Sequence, residues 1–209
     1  MDKVDYKKQF KSLYLPKRQP VMITVPPLRY AMLDGQGDPN GKEFAEAVAA
    51  LYSFSYAVKM SYKSKAVPDG YYDYTVFPLE GVWDLVDKTR TSADKSNYAY
   101  TMMIRQPDFL TAELAARFID EVKKKKPNDW LDQIRLENYD EGSCCQMLHL
   151  GSYEDEPASF AQMEAFCSEH GYVRSDKTHR EIYLSDPRRT ETNKLKTVLR
   201  FKVKAYQQG

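Results

Sequence analysis

The run Cys145-Gln146-Met147-Leu148-His149-Leu150-Gly151-Ser152-Tyr153-Glu154-Asp155-Glu156-Pro157 takes the chain from a strand into a helix. Cys145 to Leu150 reads as a strand, and Gly151-Ser152-Tyr153 leaves it. Asp155-Glu156-Pro157 then opens a helix in the expected way, with acidic residues at the cap and proline in the first turn. Phe160, Met163 and Cys167 follow at helical spacing and form its apolar stripe. Gly171 suits the left-handed residue that ends such a helix. Beyond it, His179 to Leu184 reads as a strand, Asp186-Pro187-Arg188-Arg189 as a turn, and Leu195 to Ala205 as a closing strand. The order is strand, helix, strand, strand.

The first third of the chain repeats that order. Arg29 to Gly35 reads as a strand, followed by a Gly/Pro/Asn-rich loop through Gly41. Phe44, Val48 and Leu51 then set a helical period over about residues 42–60. After the turn Pro68-Asp69-Gly70, Tyr71 to Phe77 alternates as a strand, and so does Asn97 to Ile104. Leu33-Asp34-Gly35 thus matches His149-Leu150-Gly151, and the Phe44 stripe matches that of Phe160. Module one covers about 28–104 and module two about 144–205. A helix over about 111–126, capped by Thr111 and closed by Lys123 to Lys126 before Pro127, connects them. Residues 1–20 form a polar lead-in with room for a short helix, and residues 21–209 the domain itself, starting with the strand Val21–Val25. The fold class is α+β.

The chain has 209 residues, of which 42% are hydrophobic, so it is globular. The formal net charge of +1 argues against a direct nucleic-acid partner. The lysine run at 123–126 fits a helix C-terminus and a solvated face before it fits a phosphate backbone. No apolar stretch approaches the ~20 residues of a membrane span, and no signal peptide is apparent. Cys144, Cys145 and Cys167 make a poor disulfide framework, which points to a reducing cytoplasm. The sequence leaves monomer and homodimer open.

Sixteen tyrosines suit a cavity for flat organic ligands, although most also suit half-buried strands. In His179-Arg180-Glu181-Ile182-Tyr183-Leu184, alternation places Ile182 and Leu184 on one face, under the helices. His179, Glu181 and Tyr183 share the opposite face. A carboxylate between an imidazole and a phenol can pair with a cation, or act as acid or base if burial raises its pKa. From spacing alone, the commoner outcome is a glutamate on a solvated sheet face. Tyr71, Tyr100 and Met102 lie on aromatic strands, and Trp83 follows a Pro and a Gly beyond a strand end, where pocket walls are common. A core tryptophan reads equally well there. There is no phosphate-binding Gly-rich loop, no zinc-type cysteine spacing, no i, i+4 histidine pair and no Gly-x-Ser-x-Gly elbow, so neither cofactor nor metal is expected.

Four blocks carry a family resemblance. They are Pro78-Leu79-Glu80-Gly81-Val82-Trp83, Met103-Ile104-Arg105-Gln106-Pro107-Asp108-Phe109, Glu141-Gly142 with Gln146 to Pro157, and His179 to Arg188. In this order they resemble the stand-alone GyrI-like proteins, from about residue 20 to the end. The resemblance implies two β-α-β-β modules in pseudo-twofold arrangement, an antiparallel sheet with helices on one side, and a ligand groove between the modules. It implies a small aromatic ligand, flat and hydrophobic or cationic, received by Glu181 as the buried glutamate of BmrR-type multidrug regulators receives its drugs. Some stand-alone members are hydrolases that open cyclopropanoid DNA alkylators for detoxification. By that resemblance Glu181 and Tyr183 are the catalytic candidates, with Trp83, Tyr71, Tyr100, Met102, Tyr153 and His179 as substrate-binding candidates. Two alternatives stay open: a non-catalytic module that sequesters or senses a ligand, and a protein-interaction role such as gyrase inhibition.

Overall fold

The computed structural model describes residues 3–64, 66–90 and 93–206. The first two residues of the expected lead-in and the last three of the expected domain lie outside the described residues. Along the chain run α1 (Tyr6–Gln9), α2 (Lys11–Tyr14), β1 (Val21–Val25), β2 (Leu28–Gln36), α3 (Lys42–Lys59), β3 (Leu79–Leu85), β4 (Tyr98–Arg105), α4 (Ala112–Lys125), β5 (Arg135–Tyr139), β6 (Gly142–Leu150), α5 (Glu156–Glu169), β7 (Tyr172–Arg174), β8 (His179–Tyr183) and β9 (Lys196–Ala205). Every pairing between strands described below is antiparallel, and the class is α+β as expected.

The chain forms two compact units. Unit one takes residues through Tyr6, Leu28–Pro78 and Leu85–Tyr139, while unit two takes Lys7–Pro27, Leu79–Asp84 and everything from Asp140 on. In unit one, β2 pairs with β4 on one side and β5 on the other. Helix α3 buries Ala47, Ala50, Leu51, Phe54, Ser55 and Val58. Thr111 caps α4 by accepting a hydrogen bond from the Leu114 N–H, as its position suggested. Gly35 pairs with Tyr100 across β2 and β4, and a Cβ at 35 would run into the Tyr100 ring. That ring packs edge-on against Phe44 at 5.1 Å, so glycine here makes room for a core aromatic.

The strand expected over Tyr71–Phe77 does not form. Only Tyr74 makes a bridge, to Val4. The tyrosines instead spend their faces on one another and on Phe109 and Phe77: Tyr71–Phe109 lie 5.2 Å apart, Tyr72–Phe109 5.5 Å and Tyr74–Phe77 6.4 Å. The strand begins after them, at Leu79, and carries Trp83 inside it rather than beyond its end. Strands β5 and β7 were not apparent in the sequence.

In unit two, β6 pairs with β1 and β9, β9 with β6, β8 and β7, and β8 with β3. One face of these strands lies against α5, where Cys145, Met147, Leu199 and Phe201 meet Met163 and Cys167. The other face is held by charge. Arg180 Nη1 donates to Glu80 Oε2 at 2.7 Å, and its Nε lies 3.2 Å from Glu141 Oε1. Arg200 donates to Glu141 at 3.0 Å, to Gln146 Oε1 at 2.9 Å and to the Leu13 carbonyl of α2 at 2.7 Å. Both guanidinium side chains are about fully buried, at 1% exposure. Removing one partner of such a set strands the others in a medium that solvates charge poorly. Arg200→Met should therefore destabilise the protein by about 3–5 kcal/mol in urea unfolding. A loss under about 1 kcal/mol would show that the network relaxes without its hub.

A buried carboxylate pair as candidate site

The alternation of β8 sets the site. His179, Glu181 and Tyr183 share one face, as their spacing requires, while Arg180 and Ile182 turn to the charge network. The face carrying Glu181 was expected to point away from the helices. It points toward α5: the His179 ring packs on Phe160 at 4.8 Å, and Glu181 is hydrogen-bonded to Glu156 in the first turn of that helix. The reason is Arg180. Its guanidinium needs Glu80 and Glu141, which lie on the opposite face, so the remaining alternate positions meet α5.

Glu181 is 9% exposed and gathers several donors. His179 Nε2 stands 3.1 Å from Glu181 Oε1. Tyr183 is hydrogen-bonded to Glu181 and accepts from Trp83 Nε1 at 2.8 Å, so an indole, a phenol and a carboxylate form a relay. Tyr153 closes against Tyr183, ring centroids 6.2 Å apart and near perpendicular. Across the β3–β8 pairing, Gly81 stands opposite Glu181 and Trp83 opposite His179. Gly81 places no side chain beside the carboxylate.

The electrostatics follow from burial and like charge. Burial first, then the neighbouring Glu181, push the Glu156 carboxyl far above the usual carboxylate range, so it keeps its proton. Burial and Glu181 also raise the Tyr183 phenol well above its ordinary value, and that of Tyr153 to about 12. Both phenols remain donors at neutral pH. His149, in the pairing row of Thr197 and Tyr183, is spent on structure: its nitrogens bond Ser159 Oγ and the Ser152 carbonyl, both at 2.9 Å.

Of the residues expected from sequence, Glu181, Tyr183, His179, Trp83 and Tyr153 come together here. Tyr71, Tyr100 and Met102 belong to unit one. Tyr71 there donates to the Lys59 carbonyl at 2.8 Å, and Tyr100 and Met102 are buried. Glu156 was missed as a site residue because its place beside Asp155 and Pro157 explains it fully as a helix start. With Glu181 and His179 it brings three possible metal-ligand atoms within 4.8 Å of one another.

The fold is α+β, and its strand β8 carries a buried glutamate among aromatic side chains. The sequence profile of the GyrI-like small molecule binding domain matches residues 18–204, and the chain belongs to that family. An uncharacterized conserved protein from Listeria innocua is 40% identical, with a TM-score of 0.91 over 97% of this chain and 100% of that one. A hydrolase encoded by lin2189 from the same organism is 39% identical, with the same TM-score and coverage. The EcmrR C-terminal domain, 12% identical, has a TM-score of 0.54 over 90% of this chain and 98% of its own and shares the fold. A search of the curated proteins finds no match. Among the described residues, no helix is long and apolar enough to cross a membrane.

A carboxyl whose folded pKa is raised contributes its full stability below its unfolded value, about 4.3, and loses it as pH rises toward the folded value. Glutamine carries no such dependence. The melting temperature of Glu156→Gln relative to the native protein should therefore climb between about pH 5 and about pH 8. A difference that stays flat would mean that Glu156 ionises in the folded state as freely as in water.

Proposed function

We propose that the protein binds flat, hydrophobic or cationic aromatic molecules beside Glu181 and hydrolyses cyclopropanoid alkylators by adding water to the strained ring. The buried Glu181, hydrogen-bonded to Tyr183 and Glu156 in a wall of aromatic rings, is the observation that carries this reading. The hydrolase from Listeria innocua at 39% identity supports the enzymatic part. With Glu156 protonated, the pair carries one negative charge, which suits a monocation. Tyr183, Tyr153 and Trp83 offer ring faces and edges to a flat ligand.

For turnover, Glu181 takes a proton from a water held beside it as that water's oxygen bonds to a cyclopropane carbon. The carbon–carbon bond of the ring breaks. Its electron pair moves into the conjugated carbonyl, which becomes a phenolate and picks up a proton from solvent. Glu181 then returns its own proton to solvent, so the net change is the addition of one water. Tyr183 acts by position: anchored by Trp83, it aims the carboxylate. Three buried free cysteines support a reducing, cytoplasmic setting for a detoxifying role, and residues 21–209 act as the one binding domain.

With a cyclopropane-bearing alkylator in excess over protein, chromatography should show many ring-opened products per chain. Glu181→Gln should lower turnover by about 10²–10⁴-fold, and Tyr183→Phe by less. Stoichiometric binding without product would refute catalysis and leave a sequestering module. Unchanged binding and turnover in Glu181→Gln would refute the site.

A further inference from the structure

We propose that Glu156, His179 and Glu181 also form a site for one divalent cation of the zinc class. The site stands on the geometry of these side chains and is independent of turnover. Their ligand atoms, one imidazole nitrogen and two carboxylate oxygens, all lie within 4.8 Å of one another. Tetrahedral ligands about 2.0–2.1 Å from zinc stand roughly 3.3 Å apart, and His179 Nε2 lies 3.1 Å from Glu181 Oε1. Small side-chain rotations bring the third oxygen to that spacing.

A second observation points the same way. Glu156 is 6% exposed, and its Oε1 accepts no hydrogen bond from the described residues, the carboxyl meeting instead the like-charged carboxylate of Glu181. A buried lone pair of this kind calls for something that accepts electron density. Arg180, the cation next to Glu181 in sequence, turns to the other face of β8, where it meets Glu80 and Glu141. Mixed nitrogen and oxygen donors suit zinc-class ions over magnesium or calcium, which favour oxygen alone. Phe160 packed on the imidazole holds the nitrogen ligand in place. Gly81, opposite Glu181 across β3 and β8, brings no side chain to crowd an ion beside that carboxylate. The three ligands come from a helix start and a strand far along the chain, so no spacing in the sequence announces them.

The test is calorimetric titration of the chelator-stripped full chain with zinc sulfate, with cobalt(II) as a spectroscopic probe. One ion per chain is expected, with the visible bands of a tetrahedral cobalt site. His179→Gln and Glu156→Gln, both close in volume to the native residues, should each weaken binding at least about tenfold, with circular dichroism unchanged. His170→Gln, at an exposed histidine, should leave it unaltered. Absence of binding, or binding that survives both His179→Gln and Glu156→Gln, overturns the site. A separate arm titrates the metal-free protein with an organic aromatic cation. If that ligand binds while zinc does not, the metal site alone falls and the reading of the aromatic pocket stands.

Discussion

The arrangement of unit two depends on a buried ionic cluster, Arg180 and Arg200 against Glu80 and Glu141, with Gln146 and the Leu13 carbonyl accepting further hydrogen bonds from Arg200. Two positive and two negative charges cancel there. Such a cluster adds little net stability over a well-packed apolar core, because desolvating the ions costs about what their attraction returns. What it does add is register. Glu80 pairs across the sheet with Ile182, and Arg180 with Arg200. A slip of one residue between β3 and β8 would carry Glu80 out of reach of Arg180 and turn β3 inside out.

That register is also what builds the site. With β3 held by Glu80, Gly81 falls opposite Glu181 and Trp83 opposite His179, on the face that meets α5. The indole N–H then reaches the Tyr183 hydroxyl, and the relay to Glu181 follows. The strand therefore has two unlike faces, one whose charges are matched within the fold and one whose carboxylates are not. The unmatched face keeps its charge low by holding a proton on Glu156. A proton, an organic cation and a metal ion are three ways to meet the same excess of negative charge.

Much of this was legible in the sequence, and the failures have physical causes. The helix starts, the strand β8 and its alternation rest on local chemistry, and each stands where its residues imply. Tyr71–Phe77 has the stronger strand pattern and forms none, because its rings bury themselves against Phe109 and Phe77 while Leu79–Leu85 finds a partner strand in β8. Strand formation depends on the partner more than on the run itself.

The facing of Glu181 shows the same limit more sharply. Alternation says which residues share a side of a strand, but not which side meets the helices. Judged by apolarity, Ile182 and Leu184 should have met α5. Arg180 shares their side, however, and a guanidinium can be buried only where carboxylates wait for it. Glu80 and Glu141 lie far from it in the chain, so that requirement is invisible from position 180 alone. Once they are placed, the rest is forced: the arginine takes the charged side, and Glu181 is left facing the start of α5, where the Glu156 carboxyl is hydrogen-bonded to it.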